Sequence, residues 1–295
     1  MLKIRTMLEL WRKRLDISSM SFKHEDPTIF ARSQWQRKKD PNAFYLAYRV
    51  VITTYLVIAW ILSMIDSDNL HEPYIFHLKW LIYLTNWGFT CCVLQALVCT
   101  IMLVARYAKM RRGGLNSDPD LVPNVRLYKI YWFCFTISVD LGIAITLLYW
   151  IVIFNPDKME IDYLNILVHC TNSIAMVIEL SVVAHPVRLG HFYVPVTSGF
   201  VYTLFSFFYY LAGGTSRVDE PYIYPPVDWR KPGQALLVCF GACILLMVIH
   251  VVTYGAYRLR LAIAKRIKLT DDEATIPVED QFRGFDNNCL ANDTV

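Results

Sequence analysis

The chain has 295 residues, of which 55% are apolar and 18% are charged. This apolar content is high for a soluble protein of that length, so the composition predicts a protein that crosses a membrane several times. The formal net charge of +4 is small and gives no support to a nucleic-acid partner.

The segment that precedes the first apolar run, residues 1–42, is rich in lysine and arginine. Its first part, Met1–Leu15, places Ile4, Leu8 and Trp11 at helical spacing among basic side chains. This pattern is typical of an amphipathic helix on an anionic leaflet, and equally of a solvated basic segment that only sets topology. The first apolar run begins too late for a secretory leader, so we expect the first spanning helix to act as a signal-anchor.

Six runs of mostly apolar residues are long enough to span a bilayer, which predicts an all-α membrane protein with six transmembrane helices. The runs are Ala43–Ile65, Leu78–Ala105, Leu127–Phe154, Ile161–Ala184, Tyr193–Gly213 and Gly233–Tyr257. We therefore expect one membrane domain over residues 43–257. The polar, acidic tail 258–295 is predicted to be largely disordered.

The positions of the basic residues predict the orientation of these helices. Counted by predicted segment, 22 lysines and arginines fall on the side of the two termini and four on the opposite side. Such a bias places both termini in the cytoplasm. Seven of the eight cysteines fall inside predicted helices, and the last, Cys289, falls in the tail, so we expect no disulfide framework.

Two polar residues, Thr85 and His169, interrupt the second and fourth apolar runs. A polar side chain at membrane depth is costly and is a candidate functional group. Counted from the predicted helix starts, both lie about 10–12 Å below the same surface. Asn165 and Asn172 are predicted to share the helix face of His169, since they stand four residues before it and three after it.

A hydroxyl and an imidazole are the two groups of a nucleophile–base pair. A threonine hydroxyl becomes a nucleophile only beside a base, and His169 is the candidate base for Thr85. Asn165 or Asn172 would orient the imidazole, and Asn86 is a candidate oxyanion donor. The alternative is that these groups only hydrogen-bond across helices and hold the bundle together.

A metal site is the weakest hypothesis for this chain. His71, Glu72 and His77 lie at the predicted non-cytoplasmic mouth, but they lack the ligand number and spacing of a zinc site. We therefore expect no metal and no cofactor.

The other polar residues in or near the apolar runs have simpler interpretations. We expect His185 and His191 to be surface histidines in a short cytoplasmic connection, and His250 to be a satisfied packing residue. Asp140 and Glu179 are read as proton carriers or as partners of donors on other helices.

Three short motifs resemble the insect rolling stone family. They are Ser33–Arg37 (SQWQR), Phe44–Arg49 (FYLAYR) and Tyr83–Gly88 (YLTNWG), and the likeness extends over about residues 25–260. The resemblance implies a multi-pass plasma-membrane protein with a role in myoblast fusion during muscle development.

A more distant likeness concerns chemistry. The YLT sequence with Asn86 and Gln95, together with His169 and Val177–Leu180, is similar to the androgen-induced membrane hydrolases. These are intramembrane threonine hydrolases of fatty-acid esters of hydroxy fatty acids. The resemblance implies that Thr85 is the nucleophile and His169 its partner.

Three readings of function follow. As an enzyme, the protein would cleave a lipid ester where membranes merge, and its partners would be the bilayer and that ester. As a non-enzymatic organiser, it would assemble fusion partners through its cytoplasmic segments, although the sequence identifies no such partner. A transporter or channel that uses Asn165, His169, Glu179 and Asp140 is the third reading.

Overall fold

The structure, a computed structural model, describes residues 17–65, 71–112, 124–157 and 161–267. In these residues the regular structure is helical, apart from one antiparallel bridge between Ser33 and Val183. The predictions for Met1–Leu15, for Cys289 and for disorder in the tail beyond residue 267 fall outside the described residues.

Six helices in the described residues are long and apolar enough to cross a membrane, as predicted. They are α1 (Ala43–Ile65), α2 (Leu84–Arg111), α3 (Val125–Leu148), α4 (Tyr163–Val182), α5 (Tyr193–Leu211) and α6 (Pro232–Arg266). A π-helical turn, Tyr149–Ile153, continues α3, and a second one, Leu167–Thr171, interrupts α4. The chain is therefore an integral multi-pass membrane protein.

Because six spans alternate in direction, the start of α1 and the end of α6 lie on one side of the bundle. We call this side the termini face and the opposite side the loop face. That the termini face is cytoplasmic remains a prediction from the distribution of basic residues.

The core lies where α2, α3 and α4 meet. Cys92 and Ala96 of α2, Val139 of α3 and Met176 of α4 are all fully buried and belong to one apolar cluster. Large apolar side chains elsewhere point outward, for example Leu237 and Phe240 of α6, which are 71% and 66% exposed. An apolar outer surface of this kind is suited to contact with lipid.

Helix α6 continues nine residues beyond its predicted end at Tyr257, so the beginning of the predicted tail is helical. The extension is stabilised by packing, because Arg260 and Ala264 are buried against the bundle. The Arg260 guanidinium donates to the carbonyl oxygens of Leu180, at 2.5 Å, and His185, at 2.9 Å.

Residues 19–36, the N-terminal strap, pack across the termini face and cap the end of α4. The last carbonyls of a helix have no partner within it. Here the Trp35 indole N–H donates to the Ser181 carbonyl at 2.9 Å, and the Gln34 backbone N–H donates to the Val182 carbonyl at 2.8 Å. The SQWQR motif thus has a capping role in the fold.

The prediction of surface positions for His185 and His191 is wrong, because the strap covers both. His185 is 0% exposed, and its Nε2 lies 3.0 Å from the Tyr131 hydroxyl. His191 is 1% exposed, and its ring stacks on Phe22 with centroids 4.2 Å apart. Burial, with Arg260 nearby, holds the pKa of His185 well below its usual value.

Replacing Trp35 with phenylalanine keeps an aromatic ring but removes the N–H that caps α4. We expect the free energy of unfolding to fall by about 0.5–1.5 kcal/mol, the typical net value of one hydrogen bond. Titration of the purified protein with sodium dodecyl sulfate, followed by circular dichroism, measures this change. Phe44→Leu, at a ring that is 88% exposed, is the matched control. Equal unfolding midpoints for Trp35→Phe and wild type would contradict the capping role.

Candidate functional site

The YLTNWG motif forms a break in the backbone at the start of α2. Tyr83 is extended, with φ −89° and ψ 129°, and separates α2 from a 3-10 turn, Lys79–Ile82. Thr85 is therefore the second residue of α2, and the predicted helix start at Leu78 is wrong. Lys79 is the one charged residue at this turn, and the apolar residues around it outweigh it in a hydropathy average, so hydropathy does not detect the break.

Side chains satisfy three consecutive carbonyls at this break. The Asn86 amide donates to the Trp80 carbonyl at 2.6 Å, and the Trp87 indole donates to the Leu81 carbonyl at 2.7 Å. The Tyr202 hydroxyl of α5 donates to the Ile82 carbonyl at 2.9 Å. Buried carbonyls need such partners wherever a helix is interrupted. The Asn86 amide therefore already has a hydrogen-bond acceptor, which was not expected from its predicted role as an oxyanion donor.

Thr85 is buried, with 6% of its surface exposed. The phenol of Tyr224, in the segment that joins α5 to α6, lies beside the Thr85 hydroxyl. Burial raises the pKa of Tyr224 to about 12, so its phenol is neutral at physiological pH. The Tyr224 ring packs edge-on against Tyr83, at 5.8 Å between centroids. This joining segment therefore covers Thr85 on the loop face.

A small cavity lined mainly by aromatic side chains lies next to the segment that joins α5 to α6. Its lining includes Tyr202, Ser206, Tyr222, Tyr224 and Trp229.

His169 lies in the π-helical turn of α4, where its ring stacks face to face on Tyr149. The ring centroids are 3.5 Å apart and the planes differ by 3°. Tyr149 is the first residue of the other π-helical turn, and its hydroxyl donates to the Asn165 side-chain oxygen. The Nδ1 atom of His169 is buried, and no hydrogen-bond partner reaches it in the described residues.

The π-helical turns are locked to each other through the backbone at His169. A π-helix widens the helical turn and releases carbonyls from the usual ladder. The His169 carbonyl accepts from the Thr146 hydroxyl at 2.7 Å and from the Trp150 indole at 3.3 Å. This turn of α4 is therefore held against the end of α3, on which the imidazole stacks through Tyr149.

Thr85 and His169 lie near the same level of the bundle. A Cβ atom built on Gly88 would lie 3.1 Å from the Ile145 side chain, which fixes how antiparallel α2 and α3 face each other. Thr85 lies about one helical turn from Gly88 toward the loop face. Tyr149, on which His169 stacks, lies about one turn from Ile145 in the same direction. In the described part of the chain, however, no hydrogen bond or ring contact joins Thr85 to His169. The nucleophile–base pair therefore stays a prediction.

The two asparagines predicted to flank His169 face different partners. Asn165 accepts from Tyr149, which in turn supports the imidazole, so its effect on His169 is indirect. Asn172 is 2% exposed and accepts from the Cys92 thiol at 3.0 Å. The π-helical turn lies between Asn165 and Asn172, so the face predicted from regular helical spacing is not kept.

A buried ion pair near the termini face includes Glu179, which the sequence predicted as a proton carrier or as the partner of a donor on another helix, but the donor itself was not predicted. The Arg49 guanidinium of α1 pairs with the Glu179 carboxylate of α4, and both side chains are 0% exposed. The Tyr48 hydroxyl also donates to Glu179, at 2.5 Å. A signal was present in the sequence, because Arg49 is the single charged residue within Ala43–Ile65.

The second buried acid, Asp140, pairs with two side chains of α6. Its carboxylate lies 2.6 Å from His250 Nδ1 and accepts from the Thr253 hydroxyl at 2.8 Å. His250 Nε2 lies 3.0 Å from the Arg188 carbonyl, so both ring nitrogens face acceptors. His250 is thus the satisfied packing residue that we predicted, and Asp140 has partners on another helix.

The candidate metal ligands do not form a cluster. His71 Nε2 and Glu72 Oε1 are 3.6 Å apart, and both side chains are exposed. Within the residues the structure describes, no group of three or more metal-ligating side chains occurs.

The Asn86 side chain offers a direct test of the role assigned to the YLTNWG motif. In Asn86→Ala the Trp80 carbonyl loses its buried donor, so we expect the free energy of unfolding to fall by about 1–3 kcal/mol. Detergent unfolding measures this, with Thr203→Ala, at a half-buried hydroxyl that donates to a carbonyl of its own helix, as control. A variant as stable as wild type would show that the motif is not needed to hold the break.

Comparison with known proteins was made over the whole sequence. The family model described as Protein rolling stone matches residues 4–272 of this chain. Protein rolling stone of Drosophila melanogaster is 28% identical over 256 residues, which cover 85% of this chain and 90% of that protein. No solved structure shows significant similarity. The residues matched by the family model include all six helices, Thr85 and His169.

Proposed function

This chain belongs to the rolling stone family, and from that premise we propose that it acts at the plasma membrane in myoblast fusion by hydrolysing a lipid ester. Thr85 is the nucleophile in this proposal and His169 is the base. The observation that carries it is the pair of π-helical turns. They hold one imidazole in a fixed orientation, with an unpartnered nitrogen, at the level of a buried hydroxyl. Local π-helices are frequent at functional sites.

The surroundings of His169 favour one tautomer. An N–H group at the buried Nδ1 would have no acceptor, which is costly, whereas a lone pair there costs less. The proton therefore resides on Nε2, and Nδ1 is left as a base. Stacking on Tyr149 prevents the ring from turning away.

The chemistry proceeds in two steps. In the first, the Thr85 oxygen bonds to the ester carbonyl carbon while its proton passes to His169, which then protonates the departing alcohol. This leaves an acyl group on Thr85. In the second step, water transfers a proton to His169 and attacks the acyl carbon, and the proton returns to the Thr85 oxygen as the fatty acid leaves. No cofactor enters either step.

Before the first step, the Thr85 hydroxyl must leave its position beside Tyr224 and form a hydrogen bond with His169. Catalytic hydrogen bonds are often long or misaligned in the absence of substrate and tighten when it binds. A lipid ester that enters from the bilayer would displace the segment that carries Tyr224.

One observation favours the second candidate, a non-enzymatic organiser of fusion partners. Asn86 already has a hydrogen-bond partner and Thr85 lies beside Tyr224, as expected of polar side chains that only hold helices together. Under this reading, loss of the Thr85 hydroxyl would change packing but not fusion.

The test uses the purified full chain in vesicles, supplied with a fatty-acid ester of a hydroxy fatty acid. We expect release of free fatty acid, measured by mass spectrometry, above that of vesicles without protein. Fusion of myoblasts that lack the native protein is scored in parallel after expression of wild type or Thr85→Ala. Rescue by wild type alone supports the enzyme. Equal rescue by both, without ester hydrolysis, would instead support the organiser.

A further inference from the structure

The amide of Gln95 lies at the centre of the bundle without a partner. Gln95 is 0% exposed, and neither its oxygen nor its nitrogen has a hydrogen-bond partner in the described residues. Buried polar atoms in native proteins are nearly always hydrogen-bonded, to protein or to an ordered water. Lipid offers no alternative partner, so the cost of leaving both atoms unpaired is especially high in a membrane protein.

A second unpartnered group lies close by on α1. The Arg49 side chain donates from one terminal nitrogen to the carbonyl of Ala96, the residue next to Gln95, at 3.4 Å. Its Nε atom is buried and has no partner among the described residues. Unsatisfied donors and an unsatisfied acceptor therefore occur on Gln95 and Arg49, whose helices α2 and α1 meet at Ala96.

The rest of this region is polar as well. Cys92 and Cys99 stand three residues before Gln95 and four after it, so they share its buried face of α2. Both are 0% exposed. The Cys92 thiol donates to Asn172, and Glu179 accepts from Arg49. Residues Arg49, Cys92, Gln95, Cys99, Asn172 and Glu179 form what we call the Gln95 cluster.

The donor and acceptor inventory of the cluster decides which ligand fits. Gln95 offers one acceptor and two N–H donors, and Arg49 Nε offers one further donor. A metal cation is disfavoured by the adjacent guanidinium, and an anion by the Glu179 carboxylate. Water can donate and accept at once, and buried waters typically make about three hydrogen bonds to such groups.

We propose that the Gln95 cluster is an internal water-binding site, in which water bridges the Gln95 amide to Arg49 Nε. The site is independent of Thr85 and His169, because it lies deeper in the bundle and uses different side chains. It hydrates the Arg49–Glu179 pair, which is fully buried.

Hydroxyl-radical footprinting in ¹⁸O-labelled water tests this site. Brief X-ray exposure splits bound water, and the radicals oxidise neighbouring side chains, cysteines most readily. We expect Cys92 and Cys99 of the full chain in vesicles to take up ¹⁸O although neither is exposed. In Gln95→Met, which keeps the length of the side chain but removes both polar atoms, this uptake is lost.

Leu94→Met is the matched control, because Leu94 precedes Gln95 on the outward face of α2 and is 45% exposed. We expect it to leave oxidation of both cysteines unchanged. Absence of ¹⁸O at Cys92 and Cys99 in the wild-type protein would overturn the proposal whether or not the Gln95 variant folds. Equal uptake by wild type and Gln95→Met would overturn it as well.

Discussion

Replacing Glu179 with alanine is expected to lower the free energy of unfolding by about 3–5 kcal/mol, the range for breaking a buried ion pair by removing one partner. The loss is large because Arg49 remains fully buried and has no other anion with which to pair in the described residues. The Tyr48 hydroxyl loses its acceptor in the same variant. Unfolding in sodium dodecyl sulfate, followed by circular dichroism, measures the change.

Two controls separate the ion pair from general effects of the substitution. Asp219→Asn removes the charge of an exposed carboxylate that pairs with Lys79 at 2.9 Å, and we expect a much smaller loss because solvent screens that pair. Asparagine also tolerates the left-handed backbone of this residue, whose φ is 58°. The double variant Arg49→Met, Glu179→Met removes both charges together and should regain most of the stability lost in Glu179→Ala. If Glu179→Ala is no less stable than Asp219→Asn, the buried pair does not stabilise the bundle.

Removing either member of the proposed catalytic pair should abolish ester hydrolysis. For His169→Ala we expect the rate of fatty-acid release to fall by about 10²–10⁴-fold, the usual contribution of general acid–base catalysis. Thr85→Ala should lose at least as much, because no acyl intermediate can form. Thr85→Ser keeps a hydroxyl and should retain activity. Release of fatty acid from vesicles, compared at equal amounts of folded protein, is the measurement.

Matched variants of groups that the proposal does not use guard against indirect effects. Thr203→Ala removes a hydroxyl of α5 that donates to the Gly199 carbonyl of the same helix, and His71→Ala removes an exposed imidazole outside the helices. Both should hydrolyse the ester at the wild-type rate. Activity in Thr85→Ala or His169→Ala equal to that of these controls would exclude the two residues from the chemistry.

The sequence is sufficient to predict α1 but not the start of α2. The apolar run Ala43–Ile65 coincides with α1, because polar residues bound it on both sides. At Leu78–Tyr83 the run stays mostly apolar apart from Lys79, yet the backbone breaks. The break depends on Tyr202, which donates to a carbonyl there from 120 residues away. The hydropathy of residues near the break gives no information about a hydrogen-bond donor so distant in the sequence.

Contacts between distant parts of the chain also explain why the predicted surface positions of two histidines are wrong. His185 and His191 lie in a short polar connection, where exposure is the natural expectation. They are buried because the strap, with Phe22 and Phe30, folds back over the termini face. This contact joins residues that are more than 150 positions apart in the chain.

The candidate site was predictable in its polar members but not in their partners. Thr85 and His169 could be identified because they interrupt apolar runs. Tyr149 and Tyr224 could not, because tyrosines near helix ends are typical of the aromatic belt of any membrane protein. The π-helical turns have no signature in the spacing of side chains, so the stacking of His169 on Tyr149 required the structure.

The central claim, that Thr85 is a nucleophile activated by His169, is tested most directly by covalent labelling. An alkyl fluorophosphonate reacts with hydroxyl groups that a neighbouring base has activated, and mass spectrometry locates the adduct. We predict an adduct at Thr85 in the wild-type protein and none there in His169→Ala. An adduct at another residue, or labelling of Thr85 that is unchanged in His169→Ala, would contradict the account.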